Sequence, residues 1–127
     1  MPAIIRFGSH GGRIDFAGAL ESLVDLQGYL SSDAVDATGV AHTHHPDSGI
    51  LFKSIQVPFL QQAIELVKSA ARSIPAIRWI GWDLAITPQG AVLIEGNGAP
   101  GFAALQVLTA ALHPRGAGCR QQLAALG

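Results

Sequence analysis

Apolar positions change period along the chain, and the changes mark its elements. From Pro58 to Ile74, the residues Leu60, Ala63, Ile64, Val67, Ala71 and Ile74 recur at three- and four-residue steps, the spacing of one helix face. Pro58 suits the first turn of this predicted helix, and Pro75 stops it at the residue before. Gln61, Glu65, Lys68 and Arg72 fall on the opposite, wet face. Ala3 to Phe7 is a short apolar run with Arg6 inside it, ended by Gly8-Ser9-His10-Gly11-Gly12, which predicts a strand running into a mobile loop. Leu20 to Leu26 and Tyr29 to Val35 alternate loosely around Gln27-Gly28 and predict a hairpin. After Asn97, Gly98-Ala99-Pro100-Gly101-Phe102 reads as a loop into a helix from Ala103 to Leu112, with Phe102, Leu105 and Leu108 as core. Cys119 to Leu126 is a short terminal helix or a fraying tail.

The stretch from Trp79 to Asn97 has period two and predicts a second hairpin, central to the fold. Thr87-Pro88-Gln89-Gly90 fits a type I turn with Pro at its second position and a three-residue loop closed by Gly90. Counting outward sets Thr87 opposite Ala91, Ala85 opposite Leu93, Asp83 opposite Glu95, and Gly81 opposite Asn97. The other face pairs Ile86 with Val92, Leu84 with Ile94, and Trp82 with Gly96, where the missing side chain leaves room for the indole. That second face is the predicted core face. The architecture expected from all of this is α+β, a mainly antiparallel sheet with helices packed on one face, in one domain over residues 1–127.

This register brings chemistry with it. Two carboxylates opposite each other on paired strands sit about 5 Å apart at Cβ and repel, which costs stability unless a cation or a shared proton offsets it. Asp83, Glu95 and Asn97 form a hard-oxygen ligand set, and magnesium takes one or two carboxylates and completes its octahedron with water and phosphate oxygens. The set therefore suits a magnesium-bound nucleotide better than zinc. The alternative is a solvated strand face with incidental acids.

Composition narrows the classes. The 127 residues are 49% hydrophobic and only 13% charged, with a formal net charge of -1, so neither a disordered chain nor an electrostatic nucleic-acid surface is expected. A single cysteine, Cys119, allows no internal disulfide and has no His or Asp pattern around it to activate a thiol. With no signal peptide and no run long enough to span a bilayer, the expected location is the cytoplasm, with no membrane partner. The low charge suggests a surface normally covered by something else.

Other polar groups are less specific. His42, His44 and His45 precede Pro46-Asp47-Ser48-Gly49, but their spacing announces no third metal ligand. Asp15, Asp25, Asp33 and Asp36 lie near turns, where acids cap more often than they catalyse. The glycines at 8, 11 and 12 lack the Lys-Ser/Thr ending of a phosphate loop. Lys53 and Arg78 could reach an anion or sit in water, and Gln106 could face a ligand.

Gly81-Trp82-Asp83, the Thr-Pro-Gln-Gly turn and Glu95-Gly96-Asn97 followed by Pro100-Gly101-Phe102 resemble the C-terminal half of the ATP-grasp superfamily, most closely the sugar-transfer-associated ATP-grasp family. The His45-Pro46-Asp47-Ser48-Gly49 segment and the helix before Gly81 extend the resemblance over most of the chain. It implies that Asp83, Glu95 and Asn97 hold the magnesium ions that bridge ATP phosphates, with Glu95 as the bridging ligand. It also makes Arg6 a candidate phosphate clamp, through its planar fork. Where many superfamily members carry an Arg two residues before the metal-binding Asp, this chain has Gly81.

The activity implied is that of an ATP-dependent carboxylate ligase, forming an acylphosphate that an amine or thiol then attacks, linked by the resemblance to polysaccharide or sugar-transfer metabolism. The partners implied are nucleotide, a small-molecule carboxylate, and either the half of the fold that precedes this one or a second copy of the chain. The loop after Asn97 is the expected place for the acceptor end of the substrate. The alternative from a different class is a truncated, non-catalytic remnant acting as a binding or interaction module.

Overall fold

The computed structural model describes residues 3–13, 18–101 and 105–108. In chain order the elements are β1 (Ala3–Phe7), β2 (Leu20–Val24), β3 (Ala34–Val35), β4 (Ala41–His42), a short 3-10 turn (Phe52–Ser54), α1 (Leu60–Ser73), β5 (Gly81–Thr87) and β6 (Gly90–Asn97). All strand pairings are antiparallel, so the α+β architecture expected from the sequence is the one observed. The sheet is divided, however. Strands β1-β2-β3-β4 form one sheet and β5-β6 another, so the second hairpin is not the centre of a continuous sheet. The Ala91 N-H at the start of β6 donates to Gln62 Oε1 of α1 at 3.0 Å.

The chain folds as two compact units, one of residues 1–56 with 102–127, the other of residues 57–101. In the first, the antiparallel pair runs from Ala3 opposite Val24 to Phe7 opposite Leu20. Leu23 and Val35 from the sheet join Leu105 and Leu108, one helical turn apart, in a buried cluster. Leu105 and Leu108 are thus core, as their spacing predicted; Phe102 and the residues from 109 onward lie outside the described residues, as does Asp15.

Three consecutive turns in this unit share one design. Asp25 Oδ1 accepts the N-H groups of Gln27 and Tyr29, both at 2.9 Å, while the Asp25 backbone pairs with Tyr29 and Gly28. Asp36 repeats it: Oδ1 accepts from the N-H of Thr38 at 2.9 Å and of Val40 at 3.1 Å, and the backbone pairs with Val40 and Gly39. At the third turn His45 replaces the aspartate, its Nδ1 accepting the N-H groups of Asp47 at 3.2 Å and Ser48 at 3.3 Å. Each turn ends on a glycine with positive φ (Gly28 91°, Gly39 87°, Gly49 70°), which a side chain would strain. The predicted hairpin from Leu20 to Val35 forms with irregular pairing: Val24 bridges Leu30, the Ser31 N-H donates to the Leu23 carbonyl, and Glu21 pairs with Val35.

His45 also ties this turn to the end of β1. With Nδ1 accepting from two N-H groups, the proton sits on Nε2, which donates to the Gly8 carbonyl at 2.7 Å. The ring lies 5.9 Å from Phe52, which meets Phe7 at 5.4 Å. The glycine-rich segment contains a tight turn: the Gly12 N-H donates to the Ser9 carbonyl at 2.8 Å, with φ of 52° at His10 and 69° at Gly11, the signs of a type I′ turn.

In the second unit, α1 begins two residues later than the proline predicted. Phe59 takes the left-handed region, φ 57°, ahead of Leu60, so Pro58 lies in the entering turn. Ala63 and Val67 are the buried residues of α1, while Ile74, expected on its packing face, is 40% exposed. The hairpin meets α1 near Gln62, and that contact accounts for burial in its first half.

The hairpin register differs from the predicted one near its turn. The loop holds two residues, Pro88 and Gln89, which puts Thr87 opposite Gly90, Ile86 opposite Ala91, Ala85 opposite Val92 and Leu84 opposite Leu93. Gly90, the residue just after the loop, takes φ 141°, a conformation that a side chain would strain. A register shift then skips Ile94, so Asp83 faces Glu95, Trp82 faces Gly96 and Gly81 faces Asn97. These outer pairs are those read from the sequence; the inner ones are displaced by one residue. The predicted core face is overturned with them, since Val92 is 47% exposed and Ile94 63% exposed. Ala91 is buried in their place, because the one-residue shift exchanges the faces of the inner part of β6.

Two predictions follow from these contacts. A Cβ at residue 96 would lie 2.7 Å from Cζ3 of Trp82, so Gly96→Ala is expected to lower stability by about 1–3 kcal/mol in urea denaturation followed by tryptophan fluorescence. Asp36 is the second case. Its hydrogen bond with the His42 ring at 2.9 Å, and then that with the Thr38 hydroxyl, hold its carboxyl well below the usual range. A depressed native value contributes stability above the unfolded value and loses it as pH falls, so stability is expected to decline below about pH 4. Acid titrations of thermal unfolding should show a shallower decline for Asp36→Asn.

Candidate functional site

The second hairpin holds the three predicted ligands together. Asp83 lies on β5 directly opposite Glu95 on β6, and Asn97 follows Glu95 by two residues, so all three project from one face of the pair. All three are exposed. Among the described residues the ion pairs are Arg6 with Glu21, His42 with Asp36, Lys53 with Asp33, Lys68 with Glu65 and, more loosely, His10 with Asp47. Neither Asp83 nor Glu95 joins one. Two facing carboxylates without a basic partner form a site of concentrated negative charge, and nothing among the described residues neutralises it.

The donor chemistry fits a hard cation. No group of three or more His, Cys, Asp and Glu side chains able to hold a metal occurs among the described residues. Two carboxylates and an amide oxygen on an open face match instead an ion that keeps water and takes phosphate oxygens for its remaining positions. Asp83, Glu95 and Asn97 are the residues that could hold magnesium.

The ends of the hairpin are held by two close approaches. The Trp82 indole lies against Gly96, the residue between Glu95 and Asn97, on the opposite face of the ladder. One pair further out, a Cβ at Gly81 would lie 2.5 Å from Cβ of Pro100, so the loop after Asn97 folds back onto the start of β5. Any side chain at position 81 would displace Pro100, which gives a local physical reason for glycine here. The loop expected to meet the acceptor is thus anchored at Pro100, and a Cβ at Gly98 or Gly101 would meet nothing within 4 Å.

The remaining candidates are placed elsewhere. Arg6 on β1 faces Glu21 across the strand pair, and its Nε and Nη2 donate to Glu21 Oε1 at 2.8 Å and 2.5 Å. Its fork is therefore engaged with a carboxylate, while no hydrogen bond is recorded for Nη1 among the described residues. Lys53 lies 3.4 Å from Asp33. Each histidine of the cluster has its own environment: His42 meets Asp36, His45 the Gly8 carbonyl, and His44 lies in a bridge with Leu51. They are not assembled as a metal site. Gln106 is exposed.

The sequence did not show the extra residue at Ile94.

No curated protein and no solved structure matches the chain significantly. Among the described residues no helix is long and apolar enough to cross a membrane. The family model described as sugar-transfer associated ATP-grasp matches residues 1–120. With that match covering nearly all of its length, the chain belongs to the sugar-transfer-associated ATP-grasp family, whose fold is an ATP-binding one.

Proposed function

We propose that this chain supplies the ATP- and magnesium-binding face of an ATP-dependent carboxylate ligase. The observation that carries the reading is the facing pair Asp83 and Glu95, exposed and without a basic partner among the described residues, in a chain of an ATP-grasp family. Phosphoryl transfer to a carboxylate gathers several negative oxygens, so a protein catalysing it has to supply cations and positioning rather than covalent chemistry. Bound magnesium would supply charge neutralisation and in-line orientation of the phosphates.

The protein's own contribution is positional. Asp83 and Glu95 present opposed carboxylates from two hydrogen-bonded strands, which hold their backbones at a fixed separation. Asn97 adds a neutral oxygen on the same face, and Pro100 on Gly81 steadies the loop that follows it. Arg6, in the first unit, is a separate candidate for phosphate contact, carried by the family resemblance and its planar fork. In this reading the γ-phosphoryl group passes to a substrate carboxylate, and an amine or thiol then displaces phosphate from the acylphosphate.

A second reading, a non-catalytic interaction module, is favoured by the exposed apolar residues of the second unit. Ile74, Ile77, Trp79, Val92 and Ile94 are all 39% exposed or more.

Calorimetric titration with Mg-ADP and Mg-ATP separates the two. The ligase reading expects binding that requires magnesium and weakens at least about tenfold in Glu95→Gln and in Asp83→Asn. Arg6→Ala is expected to weaken Mg-ATP binding without unfolding the chain, since a half-exposed pair such as Arg6 with Glu21 contributes only about 0.2–1 kcal/mol. Absence of binding at millimolar nucleotide, together with concentration-dependent self-association in light scattering, would favour the module.

A further inference from the structure

The hairpin contains two devices that set register, and they disagree by one residue. The two-residue turn sets Thr87 opposite Gly90 and leads by regular pairing to Leu84 opposite Leu93. Continued without interruption, that ladder would put Ile94 opposite Asp83 and Glu95 opposite Trp82. The indole forbids it. Trp82 packs where residue 96 has no Cβ, at a distance of 2.7 Å from where one would be, and a glutamate cannot take that place. Trp82 with Gly96 therefore sets the outer ladder, with Asp83 opposite Glu95, and Ile94 is the residue left over. Its side chain is 63% exposed, so it is not held there by burial.

A bulge bends its strand, raises the local twist and changes the direction of the side chains beside it. This one adjoins Glu95, between the regular inner ladder and the acidic outer one. Removing Ile94 would keep every pairing of both ladders, since Leu93 opposite Leu84 and Glu95 opposite Asp83 are already adjacent on β5. The extra residue is thus unnecessary for register and for facing the two acids. An extra residue of this kind re-aims the side chains beside it on the strand, and here those are Glu95 and Asn97.

We propose that Ile94 is a positioning residue: the bulge it forms turns the Glu95 carboxylate, and Asn97 beyond it, into the geometry that a phosphate-bound magnesium ion requires. The inference rests on the reading of Asp83, Glu95 and Asn97 as metal ligands. Its basis is the extra residue at their border, and the contribution belongs to the backbone rather than to the isoleucine side chain.

The test is deletion of Ile94 from the full chain, with Mg-ADP affinity measured by calorimetry and stability by urea denaturation on the same samples. The expected result is a folded protein, with a denaturation midpoint at or above the wild-type value, whose affinity for Mg-ADP has dropped at least tenfold. Ile94→Ala, which keeps the extra backbone residue, is expected to lose less than threefold. A deletion variant that binds within twofold of wild type overturns the proposal, as does Ile94→Ala losing as much as the deletion. A deletion variant that fails to fold also overturns it, because it would show the bulge to be required by the ladder itself. If the wild-type chain does not bind Mg-ADP, the ligand reading fails first, and that outcome is told apart by appearing before any variant is made.

Discussion

The packing of the Trp82 indole against Gly96 is the constraint on which the candidate site depends. An indole needs a flat, side-chain-free patch on the opposing strand, and a cross-strand neighbour without a Cβ supplies it. Because the contact lies between the Asp83–Glu95 and Gly81–Asn97 pairs, it fixes both. The turn cannot do this, since its own register runs one residue out of step. Two local preferences in conflict meet at Ile94, and the conflict is resolved by an unpaired residue rather than by a slip of the whole strand, which would exchange its faces.

The first unit shows a different way of holding irregular backbone in place. Its strands β3 and β4 have two residues each, too short for ladder hydrogen bonds alone to fix them. Side chains of Asp25, Asp36 and His45 take over, each accepting two backbone N-H groups of its own turn. His45 does more than the two acids, because its second ring nitrogen reaches the Gly8 carbonyl while its face rests near Phe52. Polar residues that invite a catalytic or metal-binding reading are here engaged in local structure, and Arg6 with Glu21 forms a cross-strand ion pair.

In the second unit the charges are left open. Asp83 and Glu95 face each other on an exposed ladder, an arrangement that repulsion disfavours in the absence of a cation. Membership in an ATP-grasp family supports the reading of such a pair as a ligand for a nucleotide-bound metal. Gly81 departs from the arginine that many superfamily members carry, and its contact with Pro100 shows what the position does instead: it receives the loop that follows Asn97.

The α+β class, β1, the helix up to Ser73, the outer hairpin pairs and the indole slot at Gly96 were legible in the sequence, because each is set by residues close in the chain or by a steric match between two of them. Asp83, Glu95 and Asn97 were placed on one face by counting outward from a three-residue turn, and that pairing is observed because the shorter turn and the extra residue at Ile94 offset each other. Tertiary structure alone decided the rest. The contact between Gln62 of α1 and the Ala91 N-H of β6 joins residues 29 apart in sequence, which no local pattern encodes. The faces of the inner hairpin depended on one residue of loop length, which Pro88 and Gly90 leave open, and only the whole ladder could show that the turn and the tryptophan disagree. Turn capping by Asp25, Asp36 and His45 was likewise decided by which backbone donors the fold left free, a property of three-dimensional arrangement that residue type alone cannot specify.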